Sequence, residues 1–349
     1  MRRLATIRTV ADVRPIEGAD AIECVVVGGW QVVAKKGEFT PGDLCVYFEI
    51  DSVLPICEEF EFLRKGCYVK KDWLITANNP NGEGFRLKTI RLRGQISQGL
   101  VIPLRKNDPM AALNTIAYHA GNDDVTGLYD VVKWDPPVPA CLSGRVIGNF
   151  PSFIPKTDQE RIQNITARDF EKYVDDIFER TVKLDGSSMT VYHYNGKVGV
   201  CSRNLELDIE NSPDTTFATV FTQLDFAKIL PELGNIAIQG ELMGPGIQGN
   251  RENLKSHELY VYDVYDIDSG KYYPARQRFD LILNMDNGIK HCPVLDDVLA
   301  ANMSLEEHLI CADGPSLNHA VREGVVYKSI DNPSFSFKVI SNKFLLKGE

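Results

Sequence analysis

The segment Thr181-Val182-Lys183-Leu184-Asp185-Gly186-Ser187-Ser188 sets a lysine at the end of a strand-like run, an acid two residues on, and a Gly-Ser-Ser turn. A lysine amine is a nucleophile only when deprotonated, so its pKa of about 10.4 must fall toward neutrality before it can do covalent chemistry. Alone, Lys-x-Asp-Gly is short enough to close an ordinary hairpin turn. Its companions shift that weighting. In order they are Ser202-Arg203-Asn204, Gln239-Gly240-Glu241-Leu242, Val264-Tyr265-Asp266, Glu323-Gly324-Val325-Val326-Tyr327-Lys328 and Phe337-Lys338-Val339-Ile340-Ser341-Asn342-Lys343.

This ordered set resembles the nucleotidyltransferase motifs of the covalent ligase superfamily, which includes the mRNA capping enzymes, from about Lys156 to Lys343. Three further strings narrow the resemblance: Asn149–Asn164, Ser202–Leu207 and Gly240–Asn250. They look like ATP-dependent RNA ligases of the Deinococcus and Naegleria type, which carry an OB-fold domain before the ligase domain. Gly42-Asp43, Asp51–Pro55 and Lys88–Leu100 extend the similarity into the N-terminal half.

The resemblance implies roles. Lys183 is the nucleophile toward the α-phosphorus of ATP, and nearby cations disfavour its ammonium form. Asp185, Glu241 and Glu323 are the metal set, for Mg²⁺ or Mn²⁺, ions that suit oxygen-rich and partly hydrated sites. Asp185 supports the lysine or the hydrated metal. Glu241 binds the ribose or a metal-linked water, and Glu323 holds the metal or the lysine. Arg203, Lys338 and Lys328 supply positive charge to the phosphates. Tyr265 stacks on adenine. Many relatives have an acid just before the nucleophile; here Val182 stands there, so adenine contact at that position falls to the backbone. The last motif often has lysines two apart. Here Ile340 follows Lys338, so either Lys343 supplies the second cation or none does.

Two domains must position these groups, because 349 residues is about twice the usual single-domain length. The expected fold class is α+β: an OB-like β-barrel over residues 1–134, a linker and entry segment over 135–155, and a nucleotidyltransferase (ligase) domain over 156–349. Short β-branched runs at Ile22–Val27, Trp30–Ala34, Leu44–Ile50, Lys88–Leu92 and Leu100–Pro103, separated by Gly/Pro turns, predict the barrel. Trp134–Pro139 is a stiff proline-rich break. Beyond it, Thr157-Asp158-Gln159-Glu160 has capping-box spacing and predicts a helix through Ile165. Asp214–Leu230, Pro274–Met285 and Ser304–Ala312 are further helix candidates, set among strand-like runs that predict antiparallel sheets with flanking helices.

Residues 1–134 hold 17 Lys+Arg against 17 Asp+Glu, leaving 21 against 31 for the remainder, which carries the whole net charge of −10. An acidic total disfavours nonspecific coating of nucleic acid but permits a local basic groove. Lys35, Lys36, Lys88, Arg91 and Arg93, interleaved with Trp30, Phe39, Tyr47 and Phe85, are the expected RNA-binding face. No apolar run reaches the roughly 20 residues of a membrane span, and the N-terminus lacks a signal-peptide core. The eight cysteines form no C-x-x-C pair, which fits reduced thiols in an intracellular, cytoplasmic protein.

The leading function is ATP-dependent joining of 3′-hydroxyl and 5′-phosphate RNA ends, acting as a monomer on RNA or an RNA-containing nicked duplex. A DNA ligase or capping-type enzyme is the first alternative. Those usually carry the OB domain after the catalytic one, and only residues 344–349 follow Lys343. A nonenzymatic OB-fold nucleic-acid-binding protein with a decayed ligase domain is the second.

Overall fold

A computed structural model of the chain describes residues 2–104, 123–138 and 144–347. The chain divides into two compact units, Met1–Pro137 and Val138–Glu349.

The N-terminal unit is organised by one long strand, Ala5–Pro15. Its first half pairs with Leu44–Phe48 and its second half with Ile22–Val27, with a register shift between Val10 and Asp12. A bulge of this kind bends the strand and lets one sheet curl around a core. Trp30–Lys35 and Leu100–Pro103 complete an antiparallel five-stranded sheet. Phe48, Phe60, Phe85, Val46 and Leu54 fill its interior. A second, four-stranded sheet joins Val132–Lys133, Ser52–Leu54, Glu83–Arg86 and Tyr68–Lys70. The short helical stretch Glu58–Cys67 lies between them in sequence, where no helix was expected.

The second unit is built on two sheets. The larger takes in Val146–Asn149, Ser187–Tyr194, Lys197–Cys201, Leu205–Leu207, Ile236–Met243 and Glu258–Asp266. One face covers an apolar core of Val191, Ile238, Val261 and Phe217. The smaller runs Glu160–Arg161, Ser336–Ile340, Gly324–Ser329, Phe178–Lys183 and Val294–Val298, with Phe178, Tyr327 and Phe337 in its core.

Three expectations need correcting. Residues 144–155 are not a free connector: Val146–Asn149 pairs with Leu205–Leu207, and Phe150, Phe153 and Ile154 pack with Tyr192. Residues 139–143 of that proposed linker, with Cys141, lie outside the described residues. No helix opens at Thr157. Glu160–Arg161 is instead a strand parallel to Phe337–Lys338, because Thr157 spends its hydroxyl on Tyr262 and Glu160 bonds Arg161 N and Asn164. The stretch Asp214–Leu230 is two helices, Thr216–Gln223 and Phe226–Glu232, broken where Asp225 adopts φ 51°.

Candidate active site

Lys183 ends the strand Phe178–Lys183, opposite Gly324 in the antiparallel partner. Glu323 therefore sits one residue before that partner strand, and Lys183 Nζ donates to its Oε2 at 2.7 Å. Gly324 is needed at the crossing, since a Cβ there would meet Val339 O at 2.1 Å. After Lys183 the chain passes through Leu184-Asp185-Gly186 into the other sheet, where Ser188 pairs with Glu241. Gly186 N donates to Glu241 Oε1 at 3.0 Å, and a Cβ on Gly186 would meet Met243 Sδ at 2.4 Å. One turn thus carries the lysine between two sheets and brings Asp185, Glu241 and Glu323 around it.

The electrostatics of this pocket are those of excess negative charge. Burial alone would lower the pKa of Lys183, but Glu323, Glu241 and Asp185 outweigh it and hold the amine above its ordinary value. Burial pushes Glu241 up to about 7, against the pull of Lys183. Burial, reinforced by Glu323, pushes Asp185 up to about 6. The resting lysine is an ammonium among carboxylates, not the cation-surrounded amine expected from the sequence.

A divalent cation suits this surplus of carboxylate oxygen. Among the described residues, however, no three His, Cys, Asp or Glu side chains converge as a ready coordination shell. Glu323 is engaged by Lys183, Glu241 by Gly186 N, and Asp185 by Arg251 Nη1 at 3.3 Å. The three acids, expected beside a partly hydrated metal, fit an ion keeping much of its own water, as Mg²⁺ does.

The phosphate-side cations divide. Lys338 Nζ lies 3.4 Å from Asp158 Oδ1, and Arg203 Nη2 lies 3.3 Å from Asp158 Oδ2, so one aspartate joins the two. Buried Arg161, not assigned from the sequence, is the ladder partner of Lys338. Lys343 pairs with Asp313 at 3.0 Å, its side chain largely exposed. Lys328 is buried, forms an ion pair with Asp263 and donates to Tyr262 O at 2.9 Å. It is a buried, paired cation; its strand position was legible, its inward orientation was not.

The aromatic assignment also changes. Tyr265 pairs with Ala237 and packs beside Tyr192 and Ile154, its ring 5.1 Å from Tyr272. That is four residues along the strand from Glu241, about 13 Å at strand rise. Tyr262 packs instead against the cluster of Val182, Leu184 and Met243, with its hydroxyl 3.1 Å from Thr157 Oγ1 and 3.4 Å from Ser188 Oγ. The sequence repeats Tyr-Asp at both positions; the bulge between Gln239 and Gly240 gives the two tyrosines different surroundings. Val182 is buried, and its N–H donates to Pro293 O at 2.9 Å, so that group is not free to read adenine.

Arg251 also escaped the sequence reading, although it follows directly on the Gly240–Asn250 string. It donates to Asp185, to Val321 O at 3.2 Å, and lies 4.6 Å from the Phe344 ring centroid. Its neighbour Glu252 accepts from Asn318 N at 2.6 Å and His319 N at 3.1 Å. The pair grips the segment that leads into Glu323.

In the N-terminal unit, Lys35, Lys36, Lys88, Arg91 and Arg93 are all exposed. The four aromatics expected among them are not: Trp30, Phe39, Tyr47 and Phe85 are all buried. Trp30, Tyr47 and Phe85 lie on strands, where alternation turns them inward, and Phe39 lies in the connection after Trp30–Lys35.

No curated protein matches this chain. An OB-fold domain model matches residues 4–104, and an RNA ligase model matches residues 176–340, spanning Lys183, Glu241, Glu323 and Lys338. Among solved structures, Naegleria gruberi RNA ligase with PPi is 44% identical, with a TM-score of 0.89 over 100% of this chain and 99% of that one. A variant of that ligase with AMP and Mn is 43% identical, covering 99% and 98%, with a TM-score of 0.87. Another variant with ATP and Mn is 42% identical over the same shares, with a TM-score of 0.86. With both units matched in order and the lysine–carboxylate pocket inside the matched region, the chain belongs to the RNA ligase family.

Proposed function

We propose that this chain is an ATP-dependent RNA ligase that seals 3′-hydroxyl and 5′-phosphate ends at nicks in RNA-containing duplexes. The observation that carries the reading is Lys183 held 2.7 Å from Glu323 at the junction of two sheets, with Asp185 and Glu241 around it. Family membership and relatives solved with ATP, AMP and Mn support ATP as the AMP donor and a divalent cation as its companion.

Three transfers follow. Lys183 loses its proton, with Glu323 within reach to accept it, and its Nζ attacks the α-phosphorus. A P–N bond forms as the bond to pyrophosphate breaks. The 5′-phosphate of one RNA end then takes AMP from the lysine, giving an RNA-adenylate and restoring the amine. The 3′-hydroxyl of the other end attacks that 5′-phosphate, loses its proton and releases AMP. A bound divalent ion would neutralise phosphate charge and the carboxylates, and so favour the neutral amine. Asp185, Glu241 and Glu323 would hold it, mainly through water.

Arg203 and Lys338 meet the phosphates once Asp158 yields them, and Arg161 adds a buried guanidinium beside Lys338. Tyr262 is the adenine platform. Residues 1–137 form the OB-fold unit that docks RNA through its basic residues, and 138–349 form the catalytic unit.

The test is a 5′-labelled nicked RNA duplex incubated with ATP and Mn²⁺ or Mg²⁺. The expected products are sealed strand and, at limiting time, RNA-adenylate. Sealing of DNA nicks alone, or, with GTP supplied, transfer of GMP to a 5′-diphosphate RNA end, would favour the other superfamily reactions.

A further inference from the structure

Residues 84–104 contain no acidic side chain, while Arg86, Lys88, Arg91 and Arg93 fall within them. Inside this stretch, Thr89–Leu92 and Gln95–Gln98 form a two-stranded ribbon of their own, outside both larger sheets of the N-terminal unit. Its turn is Arg93-Gly94, at φ 48° and 85°. Two successive positive φ values match the right-handed twist of a tight hairpin. The ribbon is anchored on one side. Val33 N donates to Ser97 Oγ at 2.9 Å, and Gln95 Nε2 donates to Gln31 Oε1 at 2.6 Å. Its other strand is open: Ile90 is 47% and Leu92 39% exposed, alternating with exposed Arg91 and Arg93. Ile90 and Leu92, two residues apart, share one face.

We infer that this hairpin reads the minor groove of an RNA duplex, with the Ile90–Leu92 face against the riboses and Lys88, Arg91 and Arg93 on the flanking phosphates. The inference rests on the RNA-sealing reading above and deepens it. Duplex is favoured over single strand because unpaired bases are held by aromatic planes. The hairpin has no aromatic residue, and the strand aromatics Trp30, Tyr47 and Phe85 are buried. An A-form duplex suits the ribbon because its minor groove is wide and shallow and displays sugars, while its major groove is too narrow to enter. The acid-free run of cations complements the phosphates, and an uncovered apolar pair gains by burial against the sugar faces.

The experiment is fluorescence anisotropy with the full-length chain across a salt series. The probes are a nicked RNA duplex, the matching single-stranded RNA and a DNA duplex of the same sequence. Replacing Ile90→Ser together with Leu92→Ser should weaken RNA-duplex binding about tenfold and leave the salt slope unchanged, because no charge is lost. Single-stranded RNA should lose far less. Replacing Arg91→Ala together with Arg93→Ala should flatten the duplex salt slope by nearly two units, about 0.9 for each phosphate contact. Both variants alter exposed side chains only, and unchanged thermal midpoints would confirm folding. RNA-duplex binding untouched by the serine pair, or an equal loss on single strand and duplex, would overturn the groove assignment while leaving the ligase reading intact. Absence of RNA binding by the unaltered chain would overturn both.

Discussion

Lys183 and Glu323, 140 residues apart in sequence, meet at 2.7 Å through two antiparallel strands whose register puts Lys183 opposite Gly324. The ion pair makes the resting nucleophile a protonated one. Burial by itself would release the proton, but three surrounding carboxylates hold it. Reactivity is thereby tied to whatever neutralises those acids.

That dependence should appear in the intact mass. With ATP and Mn²⁺ the chain should gain one AMP. Lys183→Ala should gain none, since alanine offers no nucleophile. The unaltered chain in excess chelator should also stay unmodified. An adduct on the alanine variant would remove Lys183 from its role, and an undiminished adduct in chelator would remove the cation requirement.

Nucleotide binding should separate the two tyrosines. Tyr262→Ala should cost roughly 1–3 kcal/mol of ATP affinity, by analogy with base–aromatic stacking. Tyr265→Ala, which opens a gap beside Tyr192 and Tyr272, should lower thermal stability and leave affinity near that of the parent. Isothermal titration of both variants decides; the reverse pattern would restore Tyr265 as the platform.

Arg251 orients Asp185 and ties it to the carbonyl of Val321, two residues before Glu323. Arg251→Ala should slow single-turnover adenylation about 10- to 100-fold, the usual effect of losing a group that orients an active-site ligand. Half-saturation for ATP should change little, because the guanidinium bonds Asp185 and Val321 O. A large loss of ATP affinity with an unchanged maximal rate would make it a substrate contact instead.

Lys328 and Asp263 are buried together. Lys328→Met should destabilise the chain by about 3–5 kcal/mol, because it strands a buried carboxylate. Chemical denaturation measures this directly. A fully stable variant that fails only in adenylation would return Lys328 to the phosphate site.

His308 supplies an acid-sensitive step. It is 1% exposed and lies edge-on to the rings of Tyr327 and Phe337. Burial pushes its pKa down from 6.5 to about 4. The unfolded chain binds a proton below pH 6.5 that the folded chain refuses. Stability from this group is therefore complete above pH 6.5 and is lost as pH falls toward 4, by up to about 3 kcal/mol. His308→Phe should narrow the gap between denaturation midpoints at pH 7 and pH 4.5. An unchanged gap would place the acid sensitivity elsewhere.

Much of the site was legible in the chain itself. Lys183, Asp185, Glu241, Glu323 and Lys338 stand in an ordered set of motifs, and several strands showed as β-branched runs bounded by glycine and proline. Local chemistry determines such features: turn residues and side-chain alternation act over a few neighbours, and a nucleophile must be a residue type able to attack. Which side of a strand faces the nucleotide was not local. Tyr262 and Tyr265 both precede an aspartate, and one bulge opposite Gln239 and Gly240 separates their surroundings. Lys328 and Lys338 are both strand lysines, yet one is sealed against Asp263 and the other meets Asp158. The barrel aromatics looked like a binding face and became core. The capping-box spacing at Thr157 gave no helix, because a parallel partner strand claimed Glu160 and Arg161. The sequence by itself determined the chemistry available and the order of the strands. Tertiary structure alone decided register, and with it burial and charge environment. A shift of one residue turns every side chain to the opposite face, and pairing between distant strands is what fixes that shift.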